Sequence, residues 1–442
     1  MRRPPFDMNV FKERRQKLAS MAQGSAIIIP ANPDYVRNND VHHPYRQDTN
    51  LFYLTGFEEP ESILVIRPGQ TPETVMFVRP KDVERETWDG FRYGPEGTAR
   101  EFGIDKTYLV SDFNKMIGEL LKPVDRVYYR WNLNRTFDDQ LLKILDNVRL
   151  AMGRTGRGAL PVYDSWELLG ELRVIKTPHD VALMRTACEI SAKAHIAAMR
   201  FTKPGVTERQ IHGVLLHSFF MQNADREGYG TIVGSGAAAT TLHYVFNDQV
   251  CKDGDLVLID AGAEKEYYTG DITRTFPVNG KFTTTQKKVY QAVLDIEKEL
   301  IANVKPGIPF KSMQERTVEY LTDVMVEFGL LKGSRQHLID TLAYKKYYPH
   351  GVSHYLGMDV HDAGLHIVRG EPRKLEVGMS FTIEPGLYIP ADDESAPKEF
   401  RGIGVRIEDN VVVTANGCEN LTASCPKEVA DLEAIIGKGY SV

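Results

Sequence analysis

The chain is 442 residues long, 42% hydrophobic, 26% charged and 10% aromatic, too long for one ordinary domain and too apolar for a disordered chain. Its 54 basic and 60 acidic residues leave a net charge of -6, which gives no electrostatic footprint for nucleic acid or an anionic membrane. No run approaches the ~18 apolar residues of a spanning helix, and four cysteines without a Cys-x-x-Cys pair make neither a disulfide framework nor a structural zinc site.

At the N-terminus, Arg2, Arg3, Arg14 and Arg15 are interrupted by Asp7 and Glu13, and no apolar core of a secretory signal follows. A cytoplasmic protein is expected, with mitochondrial targeting as the alternative. Residues 1–170 read as an α/β domain. Strands are expected at Ala26 to Ile29, Leu51 to Leu54, Ser62 to Ile66, Thr74 to Val78 and Arg126 to Tyr129, and helices at Val10 to Ala22, Phe113 to Leu121 and Asp138 to Val148. Glycines, Arg154 and Arg157 accumulate between Gly153 and Pro161, marking a boundary. Beyond it, over residues 171–442, Pro178 opens a long helix to about Arg200, followed by helices at Thr207 to Met221, Thr285 to Val304 and Phe310 to Phe328. Strands at Leu256 to Ala261, Ile272 to Phe276, Ser380 to Glu384 and Gly404 to Val413 complete an α+β domain, an antiparallel sheet with helices outside.

Most catalytic signatures are absent: there is no Gly-x-Ser-x-Gly elbow, no phosphate loop and no His-Glu-x-x-His. Gly228-Tyr-Gly230-Thr-Ile-Val-Gly234 has the wrong spacing for a dinucleotide loop. Histidine placement says more. Residues 350–366 hold four histidines, where even spacing of the 12 would put about half of one, and imidazole is both a metal ligand and an acid/base.

Carboxylates also stand where apolar strands end. Asp260 closes Leu256-Val-Leu-Ile-Asp260, and Asp271 opens a second run. If the two runs form a hairpin closed by a loop around Glu264 to Tyr267, Asp260 faces Asp271 with Cβ atoms roughly 5 Å apart, a repulsion that a cation would relieve. Glu384 and Glu408 end two later strands, and the period of two sets Arg406 on the face of Glu408. Four carboxylates with one histidine would balance two divalent cations, an oxygen-rich set suited to Mn2+ or Co2+, with Zn2+ also possible. Two metals sharing a water lower its pKa and hold it as hydroxide.

In this order Asp260, Asp271, His354, Glu384 and Glu408 resemble the ligands of the pita-bread metallopeptidases, the clan of methionine aminopeptidase, prolidase and aminopeptidase P. The motifs are Asp260-Ala-Gly262, Gly270-Asp271-Ile-Thr-Arg274, His350-Gly-Val-Ser-His354, Asp359-Val-His361-Asp362, Ile383-Glu384-Pro-Gly386 and Gly404-Val-Arg406-Ile-Glu408-Asp409. The likeness covers nearly the whole chain. Pro44-Tyr-Arg-Gln47 and Leu51-Phe-Tyr-Leu-Thr-Gly56 are similar to the N-terminal domain of the proline-specific branch, and Glu419-Asn-Leu-Thr-Ala-Ser424 points within it to the aminopeptidase P family.

The resemblance implies a pita-bread catalytic domain in which Asp260 binds one metal, Asp271 and Glu408 bridge the pair, and His354 and Glu384 complete the second. It places His243 near the scissile carbonyl, His361 on the oxyanion, His350 and Arg406 on the proline side, and Tyr229 and Tyr388 as pocket walls. Arg406 has a second reading as the partner of Asp260. The implied reaction is hydrolysis of the bond between an N-terminal residue and a penultimate proline by a metal-bridging hydroxide, with Glu384 carrying the proton; a prolidase acting on Xaa-Pro dipeptides is the alternative. The implied partners are such peptides and a second copy of the chain, as a homotetramer or homodimer, with Trp88 contacting a neighbouring subunit and the first domain shaping access and assembly. Two further rivals are a peptide-binding module without turnover and a phosphoester-cleaving dimetal enzyme. The complete ligand set weighs against the first, and the lack of a basic cluster beyond Arg406 against the second.

Overall fold

The computed structural model describes residues 7–440; Arg2 and Arg3 lie outside the described residues. The chain forms two compact units, Met1–Leu172 and Arg173–Val442.

The first unit is a six-stranded mixed sheet in the order Lys106–Leu109, Thr74–Val78, Ile63–Ile66, Ser25–Pro30, Arg126–Tyr128, Val162–Tyr163. Strand Ile63–Ile66 runs antiparallel to both neighbours, and the other pairings are parallel. Helices Phe113–Leu121 and Arg135–Ala151 bury Phe113, Ile117, Leu141 and Val148 in the same core as Ile28, Val65 and Phe77. One expectation fails: Leu51 to Leu54 lies in helix Thr49–Thr55, not in a strand. Asp48 caps that helix through Asn50 N and Leu51 N, and Gly56 ends it in the left-handed region at φ 69°. All seven of its residues are buried, and a short helix with no solvent-facing side shows no 3.6-residue period in the sequence. Helix Gly94–Phe102 and strand Lys106–Leu109 carried no pattern strong enough to be expected.

The second unit is α+β. Three of its long helices start at threonines in reciprocal capping boxes, Thr177 with Asp180, Thr207 with Gln210 and Thr283 with Gln286. Helix Thr284–Asn303 packs on strands Ser380–Ile383, Gly386–Ile389 and Ile403–Arg406, while Pro178–Phe201 covers Ala263–Lys265 and Tyr268–Thr269. All strand pairings in this unit are antiparallel.

Two local expectations change in ways that matter to the site. Gly404 to Val413 is two strands: Ile403–Arg406 pairs with Gly386–Ile389, and Asp409–Val413 pairs with Ser380–Ile383. Pro385, with no N–H to give a ladder, separates the two partner strands. Glu384 and Glu408 both fall at this break. The hairpin is also shifted by two residues, so that Asp260 pairs with Thr273. Its turn is Glu266-Tyr267, both at positive φ (51° and 69°), and this pair lacks the Asn-Gly signal that marks such turns in a sequence. A shift of two keeps both carboxylates on one face.

Candidate metal centre

The hairpin supplies the first two carboxylates. Ala261 N donates to Ile272 O and Gly270 N to Ala263 O, each at 3.1 Å, so Gly262 stands across from Asp271. A Cβ on Gly262 would lie 1.7 Å from Gly270 O, so only glycine permits this approach. Asp260 and Asp271 converge on the Tyr229 hydroxyl, which lies 2.6 Å from Asp260 Oδ1 and 2.5 Å from Asp271 Oδ1. Beneath the hairpin the buried His195 ring donates through Nε2 to Ala261 O at 3.0 Å, and burial lowers its pKa to about 3, keeping it neutral.

The strand break supplies the other two. Glu408 N donates to Thr273 O at 3.0 Å, and the Thr273 hydroxyl donates to Glu408 Oε2 at 2.7 Å. Arg274, wholly buried, donates to Glu408 O at 2.6 Å and to Asp409 Oδ1 at 2.6 Å. Glu384 accepts from Thr382 Oγ1 at 3.4 Å. His354 joins the two halves: its Nε2 lies 3.4 Å from Asp271 Oδ2, 3.4 Å from Glu384 Oε1 and 4.0 Å from Glu408 Oε1. Its Nδ1 is 3.0 Å from Tyr355 O, which keeps one proton on Nδ1 and turns Nε2 toward the carboxylates, so that loss of the Nε2 proton leaves the Nδ1–H tautomer. That tautomer is the one a metal-binding histidine needs.

The donor set fits a cation. Asp271, His354 and Glu408 present ligand atoms that all lie within 4.8 Å of one another. Burial raises Glu384 to about 7, with Asp271 and Asp260 adding to it against His354 and Arg406. Burial also raises Glu408 well above the carboxylate range, reinforced by Asp271, Glu384 and Asp260, and it raises Asp260 against the pull of Arg406. For Asp271 burial is outweighed by hydrogen bonds from His354 and Tyr229, and the net shift is down. Burial opposes charge on His354, but the bond to Asp271 and the field of Glu384 carry it up to about 9. Four carboxylates this close want positive charge among them, and in its absence they recruit protons.

A cavity of about 500 Å³ opens onto these groups, with Ile232, Leu242, Val245 and Val360 as its apolar wall. His243, His350, His361, Tyr229 and Arg406 also line it. Tyr388, expected as a wall, is buried behind it, where its hydroxyl meets His350 Nε2 at 2.8 Å and Arg406 Nη1 at 3.1 Å. Arg406 also donates to Asp260 Oδ2 at 2.7 Å and to Thr273 Oγ1 at 3.1 Å, so both of its readings have a geometric basis. Burial, then Arg406, lowers His350 to about 4; burial, then the His354 charge, lowers His361. Both shifts favour the neutral ring at pH 7.

Several supporting residues escaped the sequence reading. Buried Glu208 accepts from Ser235 N, Ser235 Oγ, Tyr244 Oη and Gln249 N at 2.7 to 3.0 Å, pinning the segment that carries His243. Asp362 pairs with Arg173 and, at 2.7 Å, with Lys176, fixing the loop that carries His361. Thr273 and Arg274 lie inside a motif read only for its aspartate. Glu208 gives no signal, because an acidic residue in the first turn of a helix is ordinary capping chemistry.

Residues 182–415 match the sequence model of metallopeptidase family M24, and residues 11–128 match that of the aminopeptidase P N-terminal domain. The Xaa-Pro aminopeptidase of Escherichia coli is 40% identical over 96% of this chain and 97% of its own length, and that of Haemophilus influenzae is 39% identical over 96% of each. Among solved structures, Pseudomonas aeruginosa aminopeptidase PepP superposes with a TM-score of 0.93 at 43% identity, covering 98% of both chains. A zinc-substituted E. coli aminopeptidase P in complex with product does so at 0.92 and 39%, covering 97% of this chain and 98% of that one.

Proposed function

Because the chain belongs to metallopeptidase family M24, with the pita-bread domain and the N-terminal domain of the aminopeptidase P branch, we propose that it is a dimetal Xaa-Pro aminopeptidase. The observation that carries this reading is the convergence of Asp271, Glu384 and Glu408 on Nε2 of His354, with Asp260 joined to Asp271 through Tyr229. These five residues would hold two divalent cations, Mn2+ first on the oxygen-rich donor set, with Co2+ or Zn2+ as alternatives. Bound there, the cations lower the pKa of water and polarise a carbonyl.

The chain's own residues do the rest. A bond preceding proline is a tertiary amide, whose nitrogen must be protonated before it departs. Glu384, which faces the cavity beside His354, would take the proton of the attacking water and pass it to that nitrogen. His361 and His243, on the cavity wall, donate to the developing oxyanion and the scissile carbonyl. Tyr229, His350 and Arg406, braced from behind by Tyr388, shape the proline side, and the substrate's free amine sets the register so that one residue is released.

The same reading makes the enzyme a cytoplasmic homo-oligomer, tetramer or dimer. No helix among the described residues is long and apolar enough to cross a membrane, and Trp88 is 81% exposed, available for an assembly contact; sedimentation of wild type against Trp88→Ala tests that point. The activity itself is tested by offering the Mn2+-loaded protein an Xaa-Pro-Xaa tripeptide and an Xaa-Pro dipeptide. Release of the N-terminal residue from the tripeptide is expected, and cleavage of the dipeptide alone would make the protein a prolidase.

A further inference from the structure

In an antiparallel pair, alternate residues direct both N–H and C=O toward the partner strand. Gly270 N–H is bonded to Ala263 O and Ile272 C=O to Ala261 N, so Asp271 between them directs its own N–H and C=O the other way, into the interior. No strand lies there to receive them, and a buried backbone pair left unmet is costly. The side chain of Asn410 takes the place of a strand. Asp271 N donates to Asn410 Oδ1 at 2.9 Å, and Asn410 Nδ2 donates to Asp271 O.

Asn410 is itself wholly buried and tightly held. It pairs with Thr382 in strand Asp409–Val413, its N donates to Thr422 Oγ1 at 3.0 Å, its O accepts from Leu421 N at 2.8 Å, and Cys188 Sγ donates to Oδ1 at 3.3 Å. A carboxamide offers an acceptor and a donor side by side, and the reverse orientation would set like against like at both contacts. This amide therefore ties the backbone of Asp271 to the chain segment that carries Glu408, two residues earlier.

We propose that Asn410 is a positioning residue that sets the Asp271 carboxylate relative to Glu408 and so determines whether the two hold the same pair of cations. The inference rests on the dimetal reading above. Its test uses the full chain, stripped of metal and titrated with Mn2+ by calorimetry and by electron paramagnetic resonance, together with thermal unfolding of the metal-free protein. For Asn410→Ala we expect Mn2+ affinity to fall about 10–100-fold, the usual effect of losing a partner behind a metal ligand, with loss of the exchange-coupled two-manganese signal. If that variant does not fold, Asn410→Ser carries the same expectation. Leu321→Ala, a buried change in helix Lys311–Glu327, should lower the unfolding temperature while leaving Mn2+ affinity within about twofold. Wild-type affinity and an intact coupled signal in the folded Asn410 variants would overturn the proposal, as would an equal affinity loss in Leu321→Ala. A wild-type chain that binds fewer than two Mn2+ ions overturns the dimetal reading, and this proposal with it.

Discussion

Replacing Arg406 by methionine separates its two possible roles. The Arg406 side chain is only 4% exposed, and besides Asp260 at 2.7 Å it engages Thr273 and Tyr388. Two charges about 4 Å apart attract by about 4 kcal/mol at an effective dielectric of about 20, and one-sided loss of a buried pair costs about 3–5 kcal/mol. A domain of this size loses roughly 2–4 °C per kcal/mol, so metal-free Arg406→Met should unfold about 6–20 °C below wild type. Arg406 holds the Asp260 pKa down against burial. Without it that pKa rises further, so the deficit should shrink as pH falls and Asp260 takes up its proton, and grow as pH rises. A cation beside Asp260 replaces the lost partner, and on Mn2+ loading the deficit should shrink to about half or less. Calorimetric unfolding with chelator and with Mn2+ reads both numbers. An equal deficit in the two states would refute the pairing of Arg406 with a metal ligand, leaving it a role toward substrate alone.

Glu384→Gln should lower kcat about 10²–10⁴-fold at saturating metal, the range of a lost general acid/base. A carboxylate whose folded pKa is raised loses stability as pH climbs past its ordinary value, and Glu384 is raised to about 7; the same variant should therefore unfold at a higher temperature than wild type at pH 8 when metal-free, and no gain there would contradict the burial argument. Metal must displace protons from His354, raised to about 9, and from Glu384 and Glu408. Mn2+ affinity should thus climb with pH from about 6 to 9, with proton release seen as a buffer-dependent heat; pH-independent binding would reject those assignments. Gly262→Ala drives a methyl group into Gly270 O and should lower stability by about 1–3 kcal/mol while reducing activity far more than its fraction unfolded, because Asp271 sits opposite.

Much of this was legible in the sequence where a residue type is out of place. Asp260, Asp271, Glu384 and Glu408 are carboxylates at the ends of apolar runs, and His354 lies in a histidine-rich window. The structure brings all five to one cavity. The helices with threonine caps were legible for the same reason, since capping is local chemistry. What stayed hidden depends on partners distant along the chain. The hairpin register turned on a Glu266-Tyr267 turn without a marker, and the helix Thr49–Thr55 lost its period because every face is buried. Asn410, Glu208 and Arg274 act through hydrogen bonds to residues more than twenty positions away, and no spacing rule sees those.

The account stands most directly on the number of ions that turnover requires. Metal-free protein titrated with Mn2+ while cleavage of an Xaa-Pro-Xaa tripeptide is followed should gain activity until two ions are bound per chain and no further, and Asp271→Ala should stay folded but bind less metal and remain inactive. Full activity at one ion or none, or an active Asp271→Ala, would contradict it.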